Sequence, residues 1–409
     1  MEVTQLAKPP IPEEANAAVI YRKAFDEMDE IQLSVEEHKL MRAIAFEDSS
    51  LDDEVVAAKT SDILSRNQRT LELIHQAAAM PECDFQRDWS EGPGMVFPEF
   101  AHLRESSRRL AFESMMLLHA GRVDDAVEAC RANFRLSNAV DGPIMIPQLV
   151  RYAIILIASG SLDKVLRDSQ PSSEVCLSIA EEIGEIELTP SFVGALKGER
   201  ACGHSCFNMI RSAPNPFRAL ADFSAPLEES TGRKISTRLF EKAPGMDFFI
   251  KRWLAFDELT YLQLMGRVIK EASLPYREVV SIEPSLEGEL ESLHWFPPRV
   301  MTKVLMPVYS RGQLSRDKVI AHLRLAEVSL LLKAYKADLS AYPDSLAELE
   351  EFVGRGLPED PFSGEGLVYH RDGNGFLLYS WGLNFKDDGG ESPFPKQRHE
   401  GDIVIQCVR

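Results

Sequence analysis

Cysteine is scarce in this chain: Cys83, Cys130, Cys176, Cys202, Cys206 and Cys407 are six of 409 residues. So thin a scatter excludes the dense, even framework of a small disulfide-stapled domain, and these residues read as small buried apolar side chains. Cys202 and Cys206 share one helical face, but His204 between them points off it. No second pair stands at structural-zinc spacing. Positive charge is short too, with Lys+Arg 45 against Asp+Glu 64, a formal charge of −19 and a pI near 5.0. Nucleic acid and anionic lipid are therefore excluded as the main partner, because both need clustered Lys and Arg to neutralise phosphate. Long apolar runs are missing: the most apolar stretch, Ile144 to Ala158, is interrupted by Pro147, Gln148 and Arg151. It reads as a buried helix, and no direct membrane span is expected.

Signals of chemistry are equally sparse. There is no Gly-x-x-x-x-Gly-Lys-Ser/Thr loop, no Gly-x-Gly-x-x-Gly after a strand, no Gly-x-Ser-x-Gly elbow and no His-Glu-x-x-His. The nine histidines show no pairing at metal-ligand spacing. Met1 to Gln5 lacks a basic region followed by an apolar one. The chain as it stands thus reads as cytoplasmic, and an upstream signal or anchor would make it periplasmic or envelope-bound.

What the sequence does contain is helical periodicity. At 409 residues it exceeds the ~250–300 at which one core stops growing, and the pattern predicts a helical domain over 1–310 followed by an α+β module over 311–409. Apolar residues at three- and four-residue spacing predict helices over 15–28, 34–47, 50–79, 96–119, 122–137, 145–167, 172–187, 190–211 and 236–273. The run from Leu117 to Ala129 reads as a helical-hairpin turn, with Gly121 as a left-handed cap and Ala126 small enough for close crossing. Its Gly-x-x-x-x-Ala spacing is similar to the turn of a tetratricopeptide repeat. One clean copy does not make a solenoid, so an irregular α-hairpin array is expected. Loops are expected over 82–97, with Trp89 as a plug, over 213–232, and over 274–298, with Trp295 as a second plug.

The last quarter carries the densest pattern. A hinge is expected at 307–312, then a helix from Asp317 to Leu339 with apolar stripes on two sides: Ile320, Leu323, Ala326, Leu330 and Ala334 on one, Val328, Leu331, Tyr335 and Leu339 on the other. A helix apolar on two sides is covered twice. Then follow Tyr342-Pro343-Asp344-Ser345-Leu346, Leu357-Pro358-Glu359-Asp360-Pro361, a hairpin of 367–370 and 376–380 turning at Asp372-Gly373-Asn374-Gly375, an Asp/Gly-rich loop, and a strand over 402–408.

That order, over roughly the last hundred residues, resembles the periplasmic head of the type II secretion major pseudopilin. The resemblance implies a long helix on a small antiparallel sheet and a calcium loop. In it Trp381 gives a carbonyl, Asn384 a side-chain oxygen and Asp402 the closing carboxylate, with Asp387 or Asp388 supplying the charge lost because Asn384 replaces an aspartate. The family's prepilin leader, apolar spine and initial glutamate have no counterpart here, so polymerisation into a pseudopilus is not implied. Fused to a helical domain, the head resembles an arrangement of uncharacterised planctomycete-type bacterial proteins.

These features predict a non-enzymatic interaction or scaffold protein, with protein as the partner. Two alternatives are a hydrolase with its site between helical domain and head, and an envelope protein anchored by a segment before Met1. Two close carboxylates with raised pKa values in one cleft would favour the hydrolase.

Overall fold

The computed structural model describes residues 9–47, 53–89, 95–231, 247–293, 299–391 and 401–407. The fold is mainly α with a small antiparallel sheet at its C-terminal end.

The first helices, α1 (Ala17–Ile31) and α2 (Val35–Phe46), start where their caps predict. Asn16 accepts from the Ala18 N–H, and Ser34 with Glu37 forms a reciprocal capping box. The single helix expected over 50–79 is two, α3 (Glu54–Arg66) and α4 (Gln68–Ala78), with 50–52 outside the described residues. Asn67 makes the break. Its Nδ2 donates to the Ile63 carbonyl at 2.8 Å while its Oδ1 accepts from Arg109 Nε at 2.7 Å, so a side chain competes with the backbone ladder.

The hairpin of α5 (Glu99–His119) and α6 (Val123–Leu136) turns as expected. Gly121 has φ of 75°, a conformation open to glycine at little cost, and the N–H groups of Gly121 and Arg122 donate to the carbonyls of Leu118 and Leu117. Next come α7 (Met145–Asp168), α8 (Ser173–Gly184) and α9 (Thr189–Ser212). The loop expected over 213–232 is instead helix α10 (Pro216–Thr231). Proline opens this helix rather than breaking it, because Asn215 Oδ1 accepts from the Arg218 N–H and Pro216 takes the first helical position, where no N–H is needed. Of the helix expected over 236–273, α11 (Asp247–Glu271) lies within the described residues. The following segment holds α12 (Tyr276–Val279), α13 (Leu286–Ser292) and α14 (Val300–Leu305), and Trp295 lies outside the described residues.

The expected hinge at 307–312 is replaced by helix. The long helix α15 (Pro307–Leu339) starts ten residues earlier than predicted and runs through Gly312. Gly312 serves packing: a Cβ there would meet Met145 and Phe192 of α7 and α9 at 3.0 and 3.1 Å. Of the first predicted stripe Leu323, Ala326, Leu330 and Ala334 are buried and Ile320 is half-buried; of the second Val328 and Leu331 are buried, Tyr335 is half-buried and Leu339 is exposed. One side meets α7 and α8, the other meets α16 (Leu346–Val353) and the sheet. Strands β1 (Val368–Asp372), β2 (Gly375–Ser380) and β3 (Ile403–Cys407) lie in the order β1-β2-β3, with Val368 opposite Tyr379 and Tyr379 opposite Val404. Phe376, Leu378 and Ile405 join side chains of α6, α7, α8 and α15 in one contiguous core. The segments before and after residue 310 therefore share their apolar interior.

Helix α7 is long and apolar enough to cross a membrane by length and composition. Here Ile155, Ala158, Leu162 and Val165 lie in that shared core.

Two stability measurements check this architecture. Leu330→Ala removes a fully buried side chain and is expected to lower unfolding free energy by ~2–5 kcal/mol in urea titrations; a loss under ~0.5 kcal/mol would contradict two-sided packing. His322 in α15 is the second. Desolvation, then Lys318 one turn away, lowers its pKa from 6.5 to about 4. Between these values the unfolded chain binds the extra proton, so stability is full above pH 6.5 and falls as pH drops towards 4. His322→Leu is expected to flatten that part of the pH–stability curve.

Candidate functional site

The loop after β2 brings the predicted ligands into one region, as donors and acceptors to each other. A single 3₁₀ turn, Gly382–Asn384, ends at Phe385 with φ of 57°. Asp402, buried at the head of β3, accepts from the N–H groups of Asp388 at 3.1 Å and Gly390 at 2.7 Å. Asp387 Oδ1 accepts from the Tyr379 hydroxyl and the Gly389 N–H, both at 2.9 Å. Asn384 Nδ2 donates to Asp388 at 2.7 Å, and its Oδ1 accepts from the Lys386 N–H. The Trp381 N–H points to Asp360. Burial raises the Asp402 pKa, the two N–H groups lower it, and Asp388 and Asp387 raise it again.

Calcium takes ~6–8 oxygens converging at ~2.3–2.6 Å. This loop converges N–H donors on its carboxylates, and among the described residues no three or more His, Cys, Asp and Glu side chains are grouped to hold a metal ion. As arranged, Asn384, Asp387, Asp388 and Asp402, expected with the Trp381 carbonyl as calcium ligands, are engaged with N–H and O–H donors of the loop and of Tyr379, a hydrogen-bonded closure of the sheet end. The residue that sequence reasoning passed over is Asp360. Its buried carboxylate accepts from the N–H groups of Phe362, Ser363 and Trp381 and from the Ser380 hydroxyl at 2.6 Å, tying the Leu-Pro-x-Asp-Pro corner to β2. The available signal was the Asp-Pro-x-Ser turn, in which an aspartate collects N–H groups two and three residues on.

A concavity lies elsewhere among the described residues. A cleft of about 850 Å³ opens between the proline-rich lead (9–11), the loop 81–89, the turn 138–143 and the flanks of α7 and α9. Arg87 fastens one wall. Its guanidinium lies 4.7 to 5.8 Å from the ring centres of Phe85, Trp89, Phe97 and Phe100, pairs with Glu99, and donates to the Asp141 carbonyl at 3.0 Å. Trp89, expected as a plug, is a half-buried wall residue. Gln148, also a lining residue, is 1% exposed, and its buried Oε1 has no hydrogen-bond partner among the described residues. One turn on, Arg151 bonds Ser191 and Asn138, both lining residues.

Burial pushes the Cys83 thiol up to about 12, and among the described lining residues there is no histidine beside it. The carboxylates that burial raises stand apart: Asp163 beside Arg167 in α7, Asp257 under the N–H groups opening α14, Asp317 against Arg316 in α15. The polar set of α9 and α11 is self-contained. Arg211 holds Asn208 Oδ1, so Asn208 Nδ2 faces His204 Nε2, and His204 Nδ1 bonds Glu258 at 2.5 Å.

Asp402→Ala is expected to strand two N–H donors and lower stability by ~1–3 kcal/mol. The melting temperature of the parent protein is expected to be equal in calcium and in chelator. A rise with calcium that Asp402→Ala abolishes would restore the metal reading.

Comparison with known proteins gives no relatives: no protein-family model matches the sequence, and neither curated proteins nor solved structures give a significant match.

Proposed function

We propose that the chain is a non-enzymatic interaction protein that holds its partner in the cleft between the lead, loop 81–89, turn 138–143, α7 and α9. The observation that carries this reading is the cleft itself, of ligand size and with one wall fixed by Arg87 among four aromatic rings and Glu99. The mixed lining, with Phe85, Trp89 and Pro143 beside Glu82, Asp84 and Asn138, suits a partner that is part apolar and part hydrogen-bonding. In this reading the pseudopilin-like head is a structural unit. Its helix-on-antiparallel-sheet order supports the resemblance, and its shared core with α7 and α8 makes it a rigid buttress. The hydrolase alternative has less support, because the carboxylates with raised pKa are dispersed over α7, α11, α15 and β3.

The test uses Gly194→Phe. Gly194 lines the cleft within α9, and a Cβ there meets nothing within 4 Å, so a ring fills the space without a clash at its base. A mixed fragment and peptide library is screened by thermal unfolding. Ligands at a hundredfold above their dissociation constant are expected to stabilise the parent by ~2.7 kcal/mol and the variant far less. A library without ligands, or ligands that stabilise both proteins equally, would overturn the reading.

A further inference from the structure

The strip Glu82 to Phe85 has the geometry of an unfinished sheet edge. Glu82 bridges Asn16 in parallel and accepts from the Ala17 N–H at 2.9 Å. Two residues on, the Asp84 N–H donates to Asn16 Oδ1 at 2.8 Å and its carbonyl accepts from Asn16 Nδ2 at 2.7 Å. The Asn16 side-chain amide thus stands in for a neighbouring peptide group. Backbone groups in an extended chain alternate in direction with period two. With the groups of 82 and 84 committed towards α1, the N–H and C=O of Cys83 face the other way. Among the described residues neither makes a hydrogen bond. Residues 82–87 line the cleft, and Asn16 and Ala17 do not.

We infer that the cleft binds a short extended peptide of a partner protein, whose main chain pairs with the N–H and C=O of Cys83. This deepens the reading of the cleft as a partner site and rests on it. Main-chain pairing at an open edge is a general mode of peptide capture, in which backbone bonds supply affinity and flanking pockets supply selectivity. Both halves of the pairing are on the protein: a donor and an acceptor at one residue of the strip. A peptide backbone presents that complement at each residue, whereas a free anion or cation presents half of it. Pro9, Pro10 and Ile11 line the same cleft.

The experiment compares two substitutions at one residue. Cys83→Pro removes the N–H and keeps a small apolar side chain; Cys83→Ala keeps the N–H and removes the thiol. Hexapeptides acetylated and amidated at their ends are selected from a random library against the full chain, and binding is measured by fluorescence anisotropy. Binding is expected to weaken at least tenfold in Cys83→Pro and in Gly194→Phe, and to change less than twofold in Cys83→Ala. Thermal unfolding of each variant reports whether the fold persists. For a variant that does not fold, amide exchange in the parent gives the same answer, since peptide is expected to slow exchange at Cys83. Equal binding by folded Cys83→Pro, or unchanged exchange at Cys83 under saturating peptide, would overturn the main-chain pairing. Fragments that bind the parent and not Gly194→Phe, with no peptide doing so, would overturn the peptide class while leaving the cleft as a binding site. Self-association of the parent that Gly194→Phe abolishes would make a second copy the occupant and overturn the separate partner.

Discussion

The arrangement depends on polar side chains of α15 placed at the open C-terminal ends of other helices. A helix ends with carbonyls that have no partner in their own ladder and with a partial negative charge. Lys333, 2% exposed, donates to the Ser169 carbonyl just past α7 at 2.8 Å, and the Lys333 carbonyl accepts from Gln170 in return. Seventeen to twenty residues earlier, Gln313 and Arg316 do the same for α11: Gln313 donates to the Glu271 and Leu274 carbonyls, and Arg316 to those of Ala272 and Leu274. Asp317 balances Arg316 and accepts from the Tyr276 N–H, fixing α12 as well. At the opposite end of α7, the Glu199 carboxylate accepts from the Met145 N–H, so that helix carries an acid at its start and a base at its finish. Buried charges of this kind are costly unless fully partnered, and here each has partners that recur at no other helix orientation.

That dependence explains which parts were legible in the sequence. Helices with local signals read well: the Gly121 turn, the capping box at Ser34, the two apolar stripes of α15 and the hairpin at Gly373 each rest on residues within a few positions of one another. Failures came where a distant partner decided. Asn67 breaks a helix because Arg109, 42 residues away in the sequence, holds its oxygen. Residues 307–312 looked like a hinge because Pro307 and Gly312 punctuate it, whereas Gly312 is there to admit Met145 and Phe192. Pro216 was taken as a breaker when Asn215 makes it an opener.

The candidate site was the least legible feature, for a related reason. Its walls come from positions near 10, 85, 140, 148 and 192, and no spacing rule connects them. The Asp/Gly-rich loop at 381–390 stood out because its acids are adjacent, yet adjacency placed them where they close a loop on its own amides. Asp360, isolated in sequence, has more donors than any of them.

The unbroken course of α15 bears on how such a chain could have been assembled. At 33 residues it is ~50 Å long, and it supplies core to the segments on both sides of residue 310. A genetic join that appended a ready-made head to a ready-made helical array would leave a loop at the seam, because each half must first fold by itself. Here the seam is a helix interior, so neither half could be exchanged for a foreign one without uncovering the other's apolar face. Substitutions along α15 must therefore satisfy the packing on both sides at once.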